Sequence, residues 1–533
     1  MSLFSNISTP GSSMFGSTVT QNNSNKTQVE SRFENRQAEF ANEENFGEMV
    51  EQTMSNELLE GQDLRNRMIA QRRLKKKINC DTTVSLQTNL TISKELYKEC
   101  EEMKVTQQDM NNIIQAFRTN EINQKYRGLV GIRLLLSDQN DSPIQELIDL
   151  GIVSDLLNLL DKSTPYEFQY EALWCLTNIA TGTSDQANSI IIKGGIPKIV
   201  NCLDSNVVEL KKQAVWTLGN IASDSGKSRD LLYREKVFEK ILILLNSTTD
   251  KSLIKTCCWA ISNFLKTTPT SPYEIAKKCI SPVVSAIYRV PEEKEFLSDC
   301  CFILSFLTEN YKQAAKEIIN IGILPKLIEF FKLDIMFIQL TVLRIAGNLA
   351  SGNANETDYL INCGILPYLK KTIFSPKKSI RKETAWIISN IAAGTPNQVE
   401  TLIKDGFFPV LVEVIKKDCP EIQKEAIWAI CNFTSVEKDD LMEMLIKQGI
   451  LNIILEFLKL SEAKHLAVSI EALANLLKFG EKKKTNNINP VSEQIEKLGM
   501  CETLEKLQYH PVEIVYEKIL KVLETYFETE NVD

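Results

Sequence analysis

EALWCLTNIATG (171–182) and QAVWTLGNIASD (213–224) share one pattern: a Trp, an Asn four residues on, and Gly or Asp four beyond that. KETAWIISNIAAG (382–394) and KEAIWAICNFTS (424–435) repeat the Trp and the Asn. The pairs are Trp174/Asn178, Trp216/Asn220, Trp259/Asn263, Trp386/Asn390 and Trp428/Asn432. Arg344/Asn348 and Glu471/Asn475 keep only the Asn, and Phe302/Phe306 keeps neither. From one copy to the next the steps are 42, 43, 43, 42, 42, 42 and 43 residues. A fixed period of that length marks a stack of small helical repeats, each burying its apolar face against its neighbours. Residues four apart share one face of a helix. Eight such helices side by side turn that face into a ladder, a shape suited to an extended peptide.

Bulk properties agree with a repeat stack. The chain has 533 residues, 43% of them hydrophobic, which is enough to fill the layers between repeats. Its net charge of −8 disfavours direct binding of nucleic acid and favours basic partners. The 13 cysteines include no CxxC pair, and Cys257/Cys258 and Cys300/Cys301 sit in apolar helical stretches. They read as reduced, buried thiols of a cytosolic or nuclear protein. Two histidines, His465 and His510, and no CxxC give no zinc site, and no cofactor is expected. No apolar run nears a membrane span, so no membrane insertion is expected, and the N-terminus lacks a signal-peptide pattern.

The chain divides by composition. Residues 1–50 are polar and acidic and are expected from composition to be mostly disordered, with nine Glu between 30 and 60 against Arg32 and Arg36. Residues 51–80 turn basic, with Arg65, Arg67, Arg72, Arg73, Lys75, Lys76 and Lys77 on a segment that reads as a helix. A linker spans 81–104, the repeats 105–527, and a tail 528–533. In each repeat a Gly-containing turn precedes an apolar helix, at Gly151, Gly195, Gly322, Gly364, Gly406 and Gly449. Pro197, Pro325, Pro367 and Pro409 follow near the next helix start, where Pro is tolerated. The Gly is expected to take a left-handed turn. Two middle repeats, near Lys236 and Ser281, lack it.

The ladder has a chemistry. An extended peptide laid on it loses water from its N–H and C=O groups, which then need partners. An Asn amide offers donors and an acceptor, so one per repeat holds a backbone without reading its sequence. Neighbouring Trp rings form slots for the aliphatic stem of Lys or Arg, with a cation–π attraction of about 0.5–2 kcal/mol. Acidic groups at the slot ends select cationic tips. A buried core has no evident use for Asn at every repeat, because a buried amide demands partners.

At these residues the chain resembles importin-α, the adaptor for classical nuclear localisation signals, over about 105–530. The irregular copies match as well: an aromatic at Phe306 and an Arg at Arg344 interrupt the family's ladder at the same places. The resemblance implies an all-α, right-handed superhelical armadillo-repeat solenoid of about ten repeats with atypical end caps. It implies a major signal-peptide site at Trp174, Asn178, Gly182, Trp216, Asn220, Asp224, Trp259 and Asn263. There the Asp224 carboxylate meets the signal's critical lysine. A minor site would use Arg344, Asn348, Thr357, Glu383, Trp386, Asn390, Glu425, Trp428 and Asn432. Glu383 and Glu425 each stand three before a Trp, and their alternative reading is a solvated helix face. The chain departs from the family at Lys212, Ala187 and Ala354. LRNRMIAQRRLKKKIN (64–79) resembles the second half of the importin-β-binding segment, which also folds back on the site, with Lys75–Lys77 mimicking a signal. The family's dense arginine run is missing from the first half. VYEKILKVLETYF (515–527) resembles the repeat held by the export receptor.

The implied partners are cargo proteins with basic signals, importin-β and the export receptor. The implied location is cytoplasm and nucleus, with shuttling through nuclear pores. A divergent import paralogue with weak importin-β binding is one alternative. An armadillo scaffold for other peptide ligands, such as acidic tails, is another, and the acidic Asp224, Glu383 and Glu425 oppose the latter. No Gly-rich phosphate loop, metal cluster or Ser/His/Asp grouping suggests an enzyme.

Overall fold

The computed structural model describes residues 92–138, 142–436, 438–460 and 462–527. The basic segment Arg65–Lys77 and the acidic stretch before it lie outside the described residues. The regular elements of those described are helices joined by turns and loops, with one isolated bridge, Thr485 to Ile488. They fall into two compact units. The larger holds the described residues up to Ser389 with Asp405–Trp428, and the smaller holds Asn390–Lys404 with the described residues from Ala429 on.

In the larger unit the long helix of each repeat lies against the long helix of the next. Tyr166–Ile179 packs on Val208–Asp224, that helix on Lys251–Lys266, and the series continues through Lys294–Asn310 to Met336–Ala350. The contact is apolar on every step: Leu173, Leu176, Leu218, Ile221, Ile261, Leu265, Leu304, Leu307, Val342 and Leu349 are all fully buried. Burial of one such side chain contributes about 1.5–3 kcal/mol. A polar thread runs inside the apolar layer. Thr177 and Thr217 share a hydroxyl hydrogen bond of 2.7 Å, and the Gln213 amide donates to Thr177 at 2.7 Å. Each buried hydroxyl is satisfied, as a dry interior requires.

The helical body begins before Val105. Lys94–Glu101, inside the stretch read as linker, is a helix packed on Ile122–Leu136, with Leu96 and Cys100 buried. Its apolar edge is only those two residues, four apart among charges, too short a signal to separate from a linker.

The turns follow the glycines with one shift. Gly151, Gly322, Gly364, Gly406 and Gly449 take positive φ as expected, but in the remaining copy Gly194 does so (φ 71°), not Gly195. Gly195 opens the helix Gly195–Cys202. The proline spacing carries the reason: Pro325, Pro367 and Pro409 each stand three residues after the left-handed Gly, and Pro197 stands three after Gly194. Where Gly is missing, Lys236 adopts the same left-handed conformation (φ 57°), at a cost of about 1–2 kcal/mol.

In the smaller unit Ala463–Lys482 packs on Ile450–Phe457, Pro490–Lys497 and Glu513–Tyr526. Leu473, Leu476 and Ile519 are fully buried, and Lys518 pairs with Glu471 at 2.9 Å. The described cysteines are free, and most are buried. Burial pushes the Cys202 and Cys301 thiols up to about 12 and Cys100 up to about 11.

Candidate functional site

The first three Trp/Asn copies lie together in the larger unit. Trp174, Trp216 and Trp259 are half-buried, so part of each ring remains open to solvent. Trp216 and Trp259 meet edge to face at 6.2 Å, and Tyr170 meets Trp174 edge to face at 5.8 Å. The Trp259 ring rests on the preceding repeat at Gly219, where an added Cβ would come within 2.7 Å of it. Such contacts fix the rings before any ligand arrives.

The Asn side chains are more deeply placed than a ladder reading alone suggests. Asn178, Asn220 and Asn263 are buried, and each amide reaches back one repeat. Asn178 donates to the Ser137 hydroxyl at 3.1 Å, Asn220 to the Thr177 carbonyl at 3.3 Å, and Asn263 to the Gly219 carbonyl at 3.3 Å. Asn348 and Asn475 do the same toward Thr308 and Thr434, at 3.0 and 3.2 Å. The expectation that Asn has no use inside the stack is therefore corrected: these amides tie adjacent repeats together. Capacity remains beyond those bonds, since a carboxamide has two donor hydrogens and an acceptor oxygen. The Asn263 Oδ1 has no hydrogen-bond partner, and neither has the Asn390 Nδ2.

Asp224 ends the helix Val208–Asp224 and is half-buried. The Ser184 hydroxyl donates to its Oδ1 at 2.6 Å and the Ser228 hydroxyl to its Oδ2 at 3.1 Å. Among the described residues no basic side chain pairs with it. The result is a carboxylate fixed in direction by two neutral donors with lone pairs to spare. Gly182 lies in the Thr181–Thr183 loop, two residues before Ser184, where the Gln186 carboxamide accepts from the Thr183 N–H and fills the space a Cβ would need. Of the departures noted in sequence, Lys212 turns to Glu209 at 2.8 Å, Ala187 is fully buried, and Ala354 is exposed.

The second set is built differently. The Arg344 guanidinium lies over the Trp386 ring, 5.3 Å from its centroid, and pairs with Glu383 at 2.8 Å. Glu383 is fully buried, so it is neither a solvated face nor an open slot end. Burial pushes its carboxyl up, and Arg344 pulls it back. Trp386 is 6% exposed and rests on Gly347. Glu425 is half-buried and accepts from the Ser389 hydroxyl, while Trp428 is half-buried. Thr357 is fully buried, its hydroxyl donating to the Ala350 and Asn353 carbonyls at 3.3 and 3.4 Å. In the smaller unit Asn390 and Asn432 are buried.

Sequence reasoning missed an earlier rung. Arg133, on Ile122–Leu136, stands 4.6 Å from the Trp174 centroid, pairs with the buried Glu171 at 2.6 Å, and pairs with Glu101 at 2.5 Å. Burial pushes the Glu171 carboxyl up, and Arg133 pulls it back. The signal was present: one repeat length back from Trp174 lies Arg133, and Ser137 follows it by the Trp-to-Asn interval. The missing Trp and Asn hid it.

Among the described residues no group of three or more His, Cys, Asp or Glu could hold a metal, and no helix is long and apolar enough to cross a membrane. Comparisons with known proteins agree with the fold. The model described as "Armadillo/beta-catenin-like repeat" matches 140–181, 183–223, 353–393 and 395–435, and "Atypical Arm repeat" matches 489–533. The chain is 33% identical to importin subunit alpha-1b of Oryza sativa subsp. japonica, over 79% of each chain. It is 39% identical to importin subunit alpha-2 of Arabidopsis thaliana, over 74% of each. It is 40% identical to importin subunit alpha-B of Dictyostelium discoideum, over 78% of this chain and 81% of that one. The crystal structure of an engineered protein aligns with a TM-score of 0.64 at 24% identity, covering 79% of this chain and all of the other, a likeness of fold alone.

Proposed function

Since the chain belongs to the importin-α family of armadillo-repeat proteins, we propose that it is a nuclear-import adaptor: a binding protein that carries Lys/Arg-rich localisation signals and links their cargo to importin-β. The observation that carries this reading is Asp224. A half-buried carboxylate, aimed by Ser184 and Ser228 and given no cation of its own among the described residues, ends the helix that carries Trp216. Ammonium bound there would form a charge-assisted hydrogen bond, while its aliphatic stem would lie against the half-exposed rings. Trp174, Trp216 and Trp259 would take successive stems. Asn178, Asn220 and Asn263 would use their remaining amide capacity on the peptide backbone. In the larger unit, Trp386, Trp428 and the half-buried Glu425 of the second set would hold a further basic cluster.

Arg65–Lys77 would serve importin-β and, in its absence, compete for the same site at the high effective concentration of a tethered ligand. The C-terminal helix Glu513–Tyr526 would serve the export receptor, and the protein would shuttle between cytoplasm and nucleus. The test is titration of a fluorescent Lys/Arg-rich peptide into the full chain, a form beginning at Ile92, and Asp224→Lys. Tight binding to the shortened form, weaker binding to the full chain and none to Asp224→Lys is the expected pattern. Binding by neither form would defeat the reading.

A further inference from the structure

At the head of each Trp row the chain places its own cation. Arg133 precedes Trp174 by one repeat and Arg344 precedes Trp386 by one repeat, so in both cases Arg occupies the ladder position itself. Both guanidinium groups lie over the indole that follows, at 4.6 and 5.3 Å from the centroid. Both pair with a carboxylate three residues before that indole on the same helix, Glu171 at 2.6 Å and Glu383 at 2.8 Å. Arg133 also has a second carboxylate from the N-terminal side, Glu101 at 2.5 Å. The two assemblies lie five repeats apart and share no residue.

The residues three before the other Trp rungs show that the pairing is specific. Before Trp216 and Trp259 they are Gln213 and Thr256. Before Trp428 it is Glu425, which follows a Trp rung, is only half-buried, and accepts from Ser389. Among the Trp-bearing repeats, a deeply buried Glu therefore stands at this place only where the rung before it is Arg. Arg133 and Arg344 are 2% and 5% exposed. A stacked, planar guanidinium paired with a carboxylate is what a peptide Arg would make in a slot.

We propose, resting on the import reading above, that Arg133 and Arg344 are built-in occupants of the first cation slot of each row. They hold the place on Trp174 and Trp386 that a ligand Lys or Arg would take, and so set where the register of a bound basic peptide stops. They are positioning and specificity-determining residues. Removing one side chain opens a slot already furnished with an indole face and a buried carboxylate, and the row then accepts one more basic residue.

The experiment uses the full chain as wild type, Arg133→Ala, Arg344→Ala and Arg133→Lys. Each is titrated with a short Lys/Arg-rich peptide and with versions carrying one extra Arg at either end. Each is also melted with methylguanidinium chloride or with NaCl at equal ionic strength. In both Ala variants the expected result is a gain of about tenfold in affinity for one of the extended peptides over the short one. Wild type and Arg133→Lys should show no such preference. Methylguanidinium should raise the melting temperature of the Ala variants saturably, and that of wild type not at all. Rescue by methylguanidinium without a length preference would make the arginines structural braces and overturn the proposal, as would the absence of both effects. Should one Ala variant fail to fold, the other carries the test, since the two assemblies are separate. Wild type that binds no peptide defeats the import reading and this proposal with it. Wild type that binds the short peptide, beside Ala variants without length preference, defeats the proposal alone.

Discussion

Trp386 lies directly on Gly347 of the preceding repeat, where a Cβ would stand 2.0 Å from the indole. The Trp259–Gly219 contact has the same form at 2.7 Å. Ala in place of a mid-helix Gly gains about 1 kcal/mol of helix propensity, while overpacking costs about 1–3 kcal/mol. Gly347→Ala should therefore destabilise by up to about 2 kcal/mol and change the Trp386 emission. Gly219→Ala should be close to neutral. Urea unfolding followed by Trp fluorescence ranks the two, and equal effects would contradict the contact.

Asp224→Ala should weaken a Lys-rich peptide by about 1.5–3 kcal/mol, the value of a hydrogen bond to a charged group. Ser184→Ala leaves the carboxylate in place and frees only its direction, so the loss should be smaller. Isothermal titration of both variants checks the order, and a larger loss from Ser184→Ala would break it.

The Arg344–Glu383 pair should behave asymmetrically on removal. Arg344→Met alone leaves a buried carboxylate and should cost about 3–5 kcal/mol, whereas adding Glu383→Leu should recover most of the loss. The lone Glu383 also gives the single variant a pH signature. Burial already holds its carboxyl above the ordinary value, and losing Arg344 removes the group that pulls it back. A folded-state value above the unfolded one means the deficit is small at pH below the unfolded value and grows as pH rises through the folded value. Denaturation from pH 4 to 8, relative to wild type, should show that trend.

The buried thiols should be inert in the native state. Burial lifts Cys202 and Cys301 to about 12 and Cys100 to about 11, so little thiolate forms near neutral pH. Of the described cysteines only the half-buried Cys363, Cys419 and Cys501 are placed to react quickly. Timed alkylation read by mass spectrometry should modify these before any other described cysteine, with the rest following only in denaturant.

The stack was legible because its period rests on residues too distinctive to recur by chance: Trp174, Trp216, Trp259, Trp386 and Trp428, each with its Asn. The turn glycines were legible for the same reason, and the one shift, Gly194 for Gly195, was encoded in the distance to Pro197. What sequence did not convey was depth. Glu383 read as a slot residue or a solvated face because neighbours along one helix say nothing of the repeat packed against it. Arg133 escaped because a rung without Trp or Asn has no signature until its ring partner is seen. The Asn residues carry two assignments at once. Their regular spacing suits a ligand, and their geometry ties repeats.

That double assignment has a mechanical consequence. The bonds from Asn220 to Thr177 and from Asn263 to Gly219, at 3.3 Å each, are longer than the common N–H···O distance. They would be among the first to lengthen if the repeats were pulled apart. A peptide spanning those same side chains would act as a splint, raising the spring constant of the stack. Tension along the chain would in turn loosen the grip. Stiffness and affinity would thus be two readings of a single row of amides.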